Sequence, residues 1–473
     1  MSFTIWGLLI IPFTFFLLFI KGIKGIYQAL IITSPLFITV ITTIPIGSTI
    51  LRTSYLFAVI YIVSYISILG ARNQLFVLKK DLLPAYTFLA IITISLIMPF
   101  LLANEVSVIS FESSVGMVNS LSIEKLSFKE SNITQIIYPY FQVILFVSIT
   151  YYASIRNKVR ETLRLLIKGS MIVLFSGFLH IVFVQIGETS LLEAINLIIS
   201  GSTEVKLSKG KGFMGLARMH SWAGEPGYSA FLFLAIVGLL LGEWLSDNYI
   251  LSKNRKLCNI NLLLFTVGII LSAGTTGYIG ILVVFLLTFF ASLAISQFKL
   301  KSYYLFWPIV SLVVVFILLQ SFWDYSFVNY FQEQHLSKLT ELKDSGYVRF
   351  TIIKQNILNF LNSPILGVGY GSERSLALSA FLLSNTGLLG FLSFSFFGAF
   401  LMRKMWNILR SRLATANQKT LALGLFISFG TMFVLMQFAK SESSLLFHYF
   451  WIIGACMLAL HRLYKQKKRS NYN

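Results

Sequence analysis

Arg218, His220 and Glu225 fall within one short run, Arg218-Met219-His220-Ser221-Trp222-Ala223-Gly224-Glu225-Pro226-Gly227-Tyr228-Ser229. A guanidinium can clamp a phosphate in bidentate fashion. A histidine or a carboxylate can accept a proton from a hydroxyl. Pro226 suits the first turn of a helix, where its missing N–H has no partner to lose. Glu225 then sits at or beside the N-cap, where unpaired amides and the positive end of the helix dipole favour an anion. The competing reading of the same run is a capped helix with Trp222 as an interfacial anchor.

A second run with chemical content lies further on. Tyr347 to Leu361 has apolar residues at helical spacing and carries Arg349 and Lys354, so an amphipathic helix on a membrane surface is expected there. It ends at Asn362-Ser363-Pro364 and runs into Gly367-Val368-Gly369-Tyr370-Gly371. In such a glycine run close turns are easy, and exposed amides, those of Gly367 and Gly369 included, are available to a ligand. No strand precedes it, so a dinucleotide-binding fingerprint is rejected. The alternative for Arg349 and Lys354 is snorkelling, with the charge held at the interface and the stem in lipid. Among the histidines, His180 is placed mid-span as a helix contact and His335 in the large loop, which leaves His220 the best placed for proton transfer.

The elements that must hold these residues are membrane helices. A hydrophobic share of 56% against 12% charged residues, with a mean hydropathy of +0.79, leaves too little polar surface to enclose a water-soluble core. Taking about 20 apolar residues per crossing, spans are expected near 3–20, 26–46, 53–70, 82–102, 135–153, 165–187, 227–245, 260–274, 277–295, 304–323, 378–402, 421–438 and 445–463. That is an all-α integral membrane protein with about 13 transmembrane helices, within a range of 12–14. The run 260–295 is too long for one crossing, and Ser272-Ala273-Gly274-Thr275-Thr276-Gly277 supplies a tight turn in its middle. The first segment lacks a basic n-region and a small-residue cleavage site, and reads as a retained helix.

Orientation follows from Lys and Arg, which concentrate in cytoplasmic loops. Lys21 and Lys24, Arg72 with Lys79 and Lys80, Arg156 to Arg164, Lys253 to Lys256, Lys299 and Lys301, and Arg403 to Lys419 fall in alternating loops. These loops and the basic tail are assigned to the cytoplasm, with the N-terminus outside. The net charge of +20 is thereby placed beside a membrane, and nucleic acid is dismissed as a partner. Three segments are left outside within one polytopic domain spanning 1–473: loops at 104–134 and 188–226, and a large loop at 324–379 with the surface helix. Cys258 and Cys456 are too differently placed to suggest a bridge, and no metal-ligand spacing occurs. Buried carboxylates and charge pairs, which a proton- or sodium-coupled carrier needs, are almost lacking in the spans.

At these residues the chain resembles the superfamily of O-antigen polymerases (Wzy type) and O-antigen ligases. Three landmarks occur in the family's order: Arg218 through Gly224-Glu225-Pro226; the turn Leu271-Ser272-Ala273-Gly274-Thr275-Thr276-Gly277; and Arg349 with Pro364 to Gly371, then Asn385-Thr386-Gly387-Leu388-Leu389-Gly390. The landmarks cover roughly residues 215–392. The turn has Ala273-Gly274-Thr275 where the family often has Arg, and Ser375-Leu376 stand where ligases carry a His, so polymerase is favoured over ligase. The resemblance implies a GT-C-like fold and an inverting glycosyltransferase at the outer face of a bacterial inner membrane. Its substrate would be an undecaprenyl-pyrophosphate-linked oligosaccharide repeat unit, in membrane lipid, with a chain-length regulator protein as partner and neither metal nor cofactor. Arg218 and Arg349, with Lys354, Gly367 and Gly369, would meet the pyrophosphate, and Glu225 or His220 would be the base. Transfer of polymer to lipid A-core by a ligase, and lipid-linked oligosaccharide flipping, are the alternatives.

Overall fold

Helix-forming apolar runs with few polar interruptions dominate the chain, and the computed structural model is 78% helical. It describes residues 2–43, 50–71, 80–110, 122–201, 217–272, 274–294, 345–439 and 445–470. Eight helices among the described residues are long and apolar enough to cross a membrane, which makes this a multi-pass helical membrane protein.

The first helix, α1 (Ile5–Thr33), starts at Thr4, whose hydroxyl accepts from the Gly7 amide at 2.9 Å. It doubles back at Gly22, where φ is +56° and ψ is −152°, a conformation that an L side chain resists. The return arm leaves the helix and forms β2 (Val40–Thr43), which pairs antiparallel with β1 (Ser2–Phe3) beside the helix start and with β3 (Ile50–Arg52). The spans expected at 3–20 and 26–46 are therefore one bent helix, and the second stops being helical after Thr33. Next come α2 (Thr53–Ala71), α3 (Leu83–Ser95), the single turn α4 (Met98–Leu101), the hairpin β4 (Ser107–Ile109) and β5 (Ile123–Lys125), α5 (Glu130–Ile155) and α6 (Val159–Gln185).

The segment 188–226, expected as a loop, contains the helix α7 (Thr189–Ser200); residues 202–216 lie outside the described ones. Beyond it run α8 (Pro226–Ser246), α9 (Arg255–Leu271) and α10 (Thr275–Ala294), so the long apolar run does divide, between Leu271 and Thr275. The expected span at 304–323 and the loop up to residue 344, His335 included, lie outside the described residues. The chain then forms α11 (Ser345–Asn362), α12 (Leu378–Arg410), α13 (Ala416–Ala439) and α14 (His448–Ser470).

The core sits between α8, α13 and α14. Gly238 and Gly242 of α8 meet Ser428 and Gly424 of α13 so closely that a Cβ on Gly242 would lie 2.4 Å from the Gly424 nitrogen. Small residues at such a crossing let two backbones approach where lipid offers no hydrophobic drive. Trp451 of α14 is 1% exposed and packs on Phe146 and Phe397.

The two ends of the bundle differ in kind. At one end Gln28 donates to Glu161 (2.9 Å), Arg160 to the Ile250 carbonyl (2.9 Å), Asn248 to Asn417 (2.8 Å) and Tyr464 to Ser411 (2.8 Å), while Arg462 approaches Asp81 at 3.7 Å. The Glu243 carboxylate there takes the Leu251 and Ser252 amides and closes the α8–α9 turn. These contacts gather most of the basic turns at one end. The other end is held by backbone and amide bonds: Ile38 N–H to the Trp222 carbonyl (3.1 Å), Met219 N–H to the Leu271 carbonyl (3.0 Å) and Asn132 to the Tyr370 carbonyl (2.8 Å).

Candidate functional site

The run singled out in the sequence is an extended strip pinned from three sides before it enters α8. Met219 N–H is bound by Leu271 of α9, Trp222 N–H donates to the Ser176 hydroxyl of α6 at 3.1 Å, and the Trp222 carbonyl receives Ile38 N–H from the return arm of α1. Gly177 of α6 leaves room for the Met219 side chain: a Cβ there would stand 2.7 Å from the methionine sulfur. Ser221 and Gly224 bridge to each other, and the Ser221 and Ser229 hydroxyls share a hydrogen bond at 2.7 Å across the helix start. Pro226 occupies the first turn of α8 as expected, with Glu225 as N-cap in extended conformation.

This strip forms one wall of a cavity of about 400 Å³. His220, Ser221, Trp222, Gly224, Glu225 and Tyr228 line it from the strip, His180 and Ser176 from α6, Asn196 and Ser200 from α7, Phe37 from the turn before β2 and Arg52 from the end of β3. The imidazoles of His180 and His220 have centroids 5.1 Å apart, and His220 N–H donates to His180 Nδ1 at 3.4 Å. That bond fixes the Nδ1 of His180 as an acceptor. The Glu225 side chain makes no cap bond to its own helix and stays exposed at the cavity edge. The guanidinium of Arg52 lies 3.4 Å above the Phe37 ring centroid, and burial lowers its proton affinity below the ordinary arginine value, an effect that Tyr55, Tyr138 and Tyr228 oppose. One cavity thus holds a cation, a carboxylate and two imidazoles.

Arg218 is placed behind this wall. A Cβ added at Gly274 would stand 3.9 Å from its Nη2, so the side chain reaches the α9–α10 turn, and it does not line the cavity. The first two family-like landmarks are therefore neighbours in space. Arg349 and Lys354 are exposed on α11, the helix expected there, which turns Val348, Ile352, Asn356 and Asn359 inward and packs on α12 and β4. Phe350, Ile357, Leu358 and Leu361 on its outer side are also exposed, as suits a helix at a lipid interface. No described contact brings Arg349 to the 218–229 strip.

Gly367 and Gly369 need correction as ligand amides. Both are buried, and their N–H groups already donate to the Ser363 carbonyl at 3.0 Å and the Asn385 carbonyl at 3.0 Å. Their φ values of +65° and +103° let the loop fold against the break in α12 at Gly387, where a Cβ on Gly367 would stand 2.3 Å from the Ser384 carbonyl oxygen. The glycines serve that interlock. Behind it lies Glu373, fully buried: its Oε1 accepts from Asn359 at 2.8 Å, and its amide donates to Asn385 at 2.9 Å. Burial pushes its carboxyl up to about 7, against opposing hydrogen bonds from Asn356, Asn359 and Ser384.

Sequence reasoning missed Arg52, His180 as a cavity residue, and Glu373. Arg52 had a signal: it is a cation at a span end opposite the basic loops, breaking the Lys/Arg alternation used for orientation. His180 and Glu373 had none beyond their type. No family model matches the chain, and no curated protein does.

Proposed function

We propose that this protein polymerises undecaprenyl-pyrophosphate-linked oligosaccharide repeat units into O-antigen or a related surface polysaccharide, as a GT-C-like inverting glycosyltransferase of about 13 crossings. In this reading the basic end faces the cytoplasm and the cavity end faces outward from a bacterial inner membrane, with the N-terminus outside and the C-terminus inside. A hydroxyl at the non-reducing end of the acceptor unit attacks the anomeric carbon of the chain on the donor. The glycosyl–phosphate C–O bond breaks as the new glycosidic bond forms. The pyrophosphate stays on its lipid, and the hydroxyl proton passes to Glu225 or His220. Inversion needs a single displacement with base and leaving group on opposite faces of the sugar. A cation at the departing oxyanion lowers that barrier most.

The observation that carries the reading is that His220 and Glu225, from the segment similar to the family's Gly-Glu-Pro landmark, open into one cavity with a cation, at the end of the bundle away from the basic turns. A strain lacking the gene tests it by electrophoresis of surface polysaccharide. Cores bearing a single repeat unit should persist while the ladder of longer chains disappears. Loss of the single-unit band as well points to a ligase or a flippase, and an unchanged ladder ends the proposal.

A further inference from the structure

We propose that Arg52 is the anion-binding residue of the cavity and that its ligand is the phosphate or pyrophosphate group of a lipid-linked sugar. The inference deepens the proposed function and rests on it for the lipid-linked sugar alone. Three observations carry it.

The first is the guanidinium's setting. Its central carbon lies 3.4 Å over the Phe37 ring centroid, which anchors the group at the cavity wall, and a guanidinium offers a forked set of N–H donors to a planar, bidentate partner. The second is the missing counter-charge. Among the described residues no carboxylate lies within ion-pair distance of Arg52, and the charges and dipoles that oppose its desolvation belong to the tyrosines Tyr55, Tyr138 and Tyr228. A half-buried cation without an anion is unfavourable, and the fold retains one here. The third is position. Arg52 lines the same cavity as His220 and Glu225, whereas Arg218 is turned toward Gly274 and Arg349 is exposed on α11. A cavity of about 400 Å³ falls within the range of roughly 300–1,000 Å³ usual for small-ligand sites. Leu192 and Ile195 of α7 add apolar lining to the cavity, and Asn196 and Ser200 of the same helix add uncharged polar groups, a mix that suits a sugar phosphate.

The test uses the full chain in nanodiscs of zwitterionic lipid, titrated calorimetrically with inorganic pyrophosphate, with farnesyl pyrophosphate and with farnesol. Wild type should bind both pyrophosphates and bind farnesol far more weakly. Arg52→Gln should weaken pyrophosphate binding by about ten- to a hundredfold, the range for a lost charge-assisted hydrogen-bond pair, while Arg349→Gln changes it less than twofold. If Arg52→Gln proves unstable, Arg52→Lys carries the test. It keeps a charge over Phe37 but loses the fork, so binding must fall several-fold, and unchanged binding overturns the proposal. Binding of inorganic pyrophosphate that depends on Arg52, without binding of the prenyl form, upholds the anion site and removes the lipid-linked substrate. Binding of farnesyl pyrophosphate that ignores Arg52 and follows Arg218 or Arg349 does the reverse. Failure of wild type to bind either pyrophosphate overturns the inference.

Discussion

The 217–229 strip and the 363–390 interlock look alike as sequence: each offers glycines, a charged residue and the start of a membrane helix. Folded, they diverge. The strip fixes its backbone to α1, α6 and α9 and leaves the side chains of His220 and Glu225 facing a cavity. The interlock turns its loop amides and its asparagines inward: Gly367, Val368 and Gly369 amides on carbonyls, Asn385 on Glu373, Asn359 on both Glu373 and Ser107. A group that already has its partners in the fold has little to give a ligand, because burial without a partner is what makes polar groups costly and available at once. The comparison assigns chemistry to the strip and architecture to the interlock.

The strongest way to break that assignment is Gly367→Ala. The new Cβ must fit 2.3 Å from the Ser384 oxygen at a φ of +65°, where alanine is strained even in free space. A cost upwards of about 3 kcal/mol is expected from strain and overpacking together. Folded protein, measured by size-exclusion chromatography of a fluorescent fusion, should largely vanish. Normal yield with lost polymer would instead make the glycine run a ligand site.

The strip should behave in the opposite way. His220→Ala and Glu225→Gln are expected to express normally, and the one that removes the base should reduce polymer by about 10²-fold or more. Electrophoresis of surface polysaccharide reads both, and whichever variant keeps the full ladder is excluded as base. A loss of folded protein in either would move the strip into the architectural class.

The contrast also marks how far a sequence can be read. Apolar length alone placed α8 within a residue at each end, since Pro226 starts it and the run stops at Ser246. The break at Lys21 to Lys24 announced the reversal in α1, but nothing local announced that the return arm would leave the helix as β2, because that depends on pairing with residues 2–3 and 50–52. His220 and Glu225 were legible by type and spacing. Their companions were not: Arg52 and His180 reach the cavity only because β2, β3, α6 and α7 come together around it. The closed state of the interlock was equally hidden, since hydrogen-bond satisfaction is a property of the fold. Gly367 and Gly369 read as free amides until their carbonyl partners were in view.

Glu373 sharpens the comparison through pH. Its carboxyl moves from an ordinary value of 4.5 up to about 7 in the fold, so the folded state binds a proton that the unfolded state has released in that window. Stability is then fullest below about 4.5 and is lost as pH rises through about 7, by roughly 3 kcal/mol in total. Melting curves of wild type in nanodiscs from pH 4.5 to 8.5 should fall over this range. Glu373→Gln, whose amide carries no titrating proton, should flatten that slope and match or exceed wild type at the alkaline end. An unchanged slope in the variant would show that the buried carboxyl is ionised and paired, and that the interlock is less closed than its hydrogen bonds indicate.

The smallest effect is expected where the sequence resemblance placed one of the largest. Arg349 is exposed on the outer side of α11, next to Phe350, and the inward face of that helix is taken by Val348, Ile352, Asn356 and Asn359. A long cationic side chain between exposed apolar residues can lay its stem in lipid and its charge in the headgroup layer, so the charge needs no protein partner. Removing it changes neither a buried contact nor the cavity. Arg349→Ala should therefore shift melting by less than about 0.5 kcal/mol, as for other surface sites, and leave the polymer ladder within a factor of about three by the same mutational range for weakly held charges. Lys354→Ala serves as its neighbour control. A tenfold loss of polymer in Arg349→Ala at normal expression, with Lys354→Ala silent, would mean that α11 turns its outer side to substrate during turnover. The division between an open strip and a closed interlock would then hold for the resting protein alone.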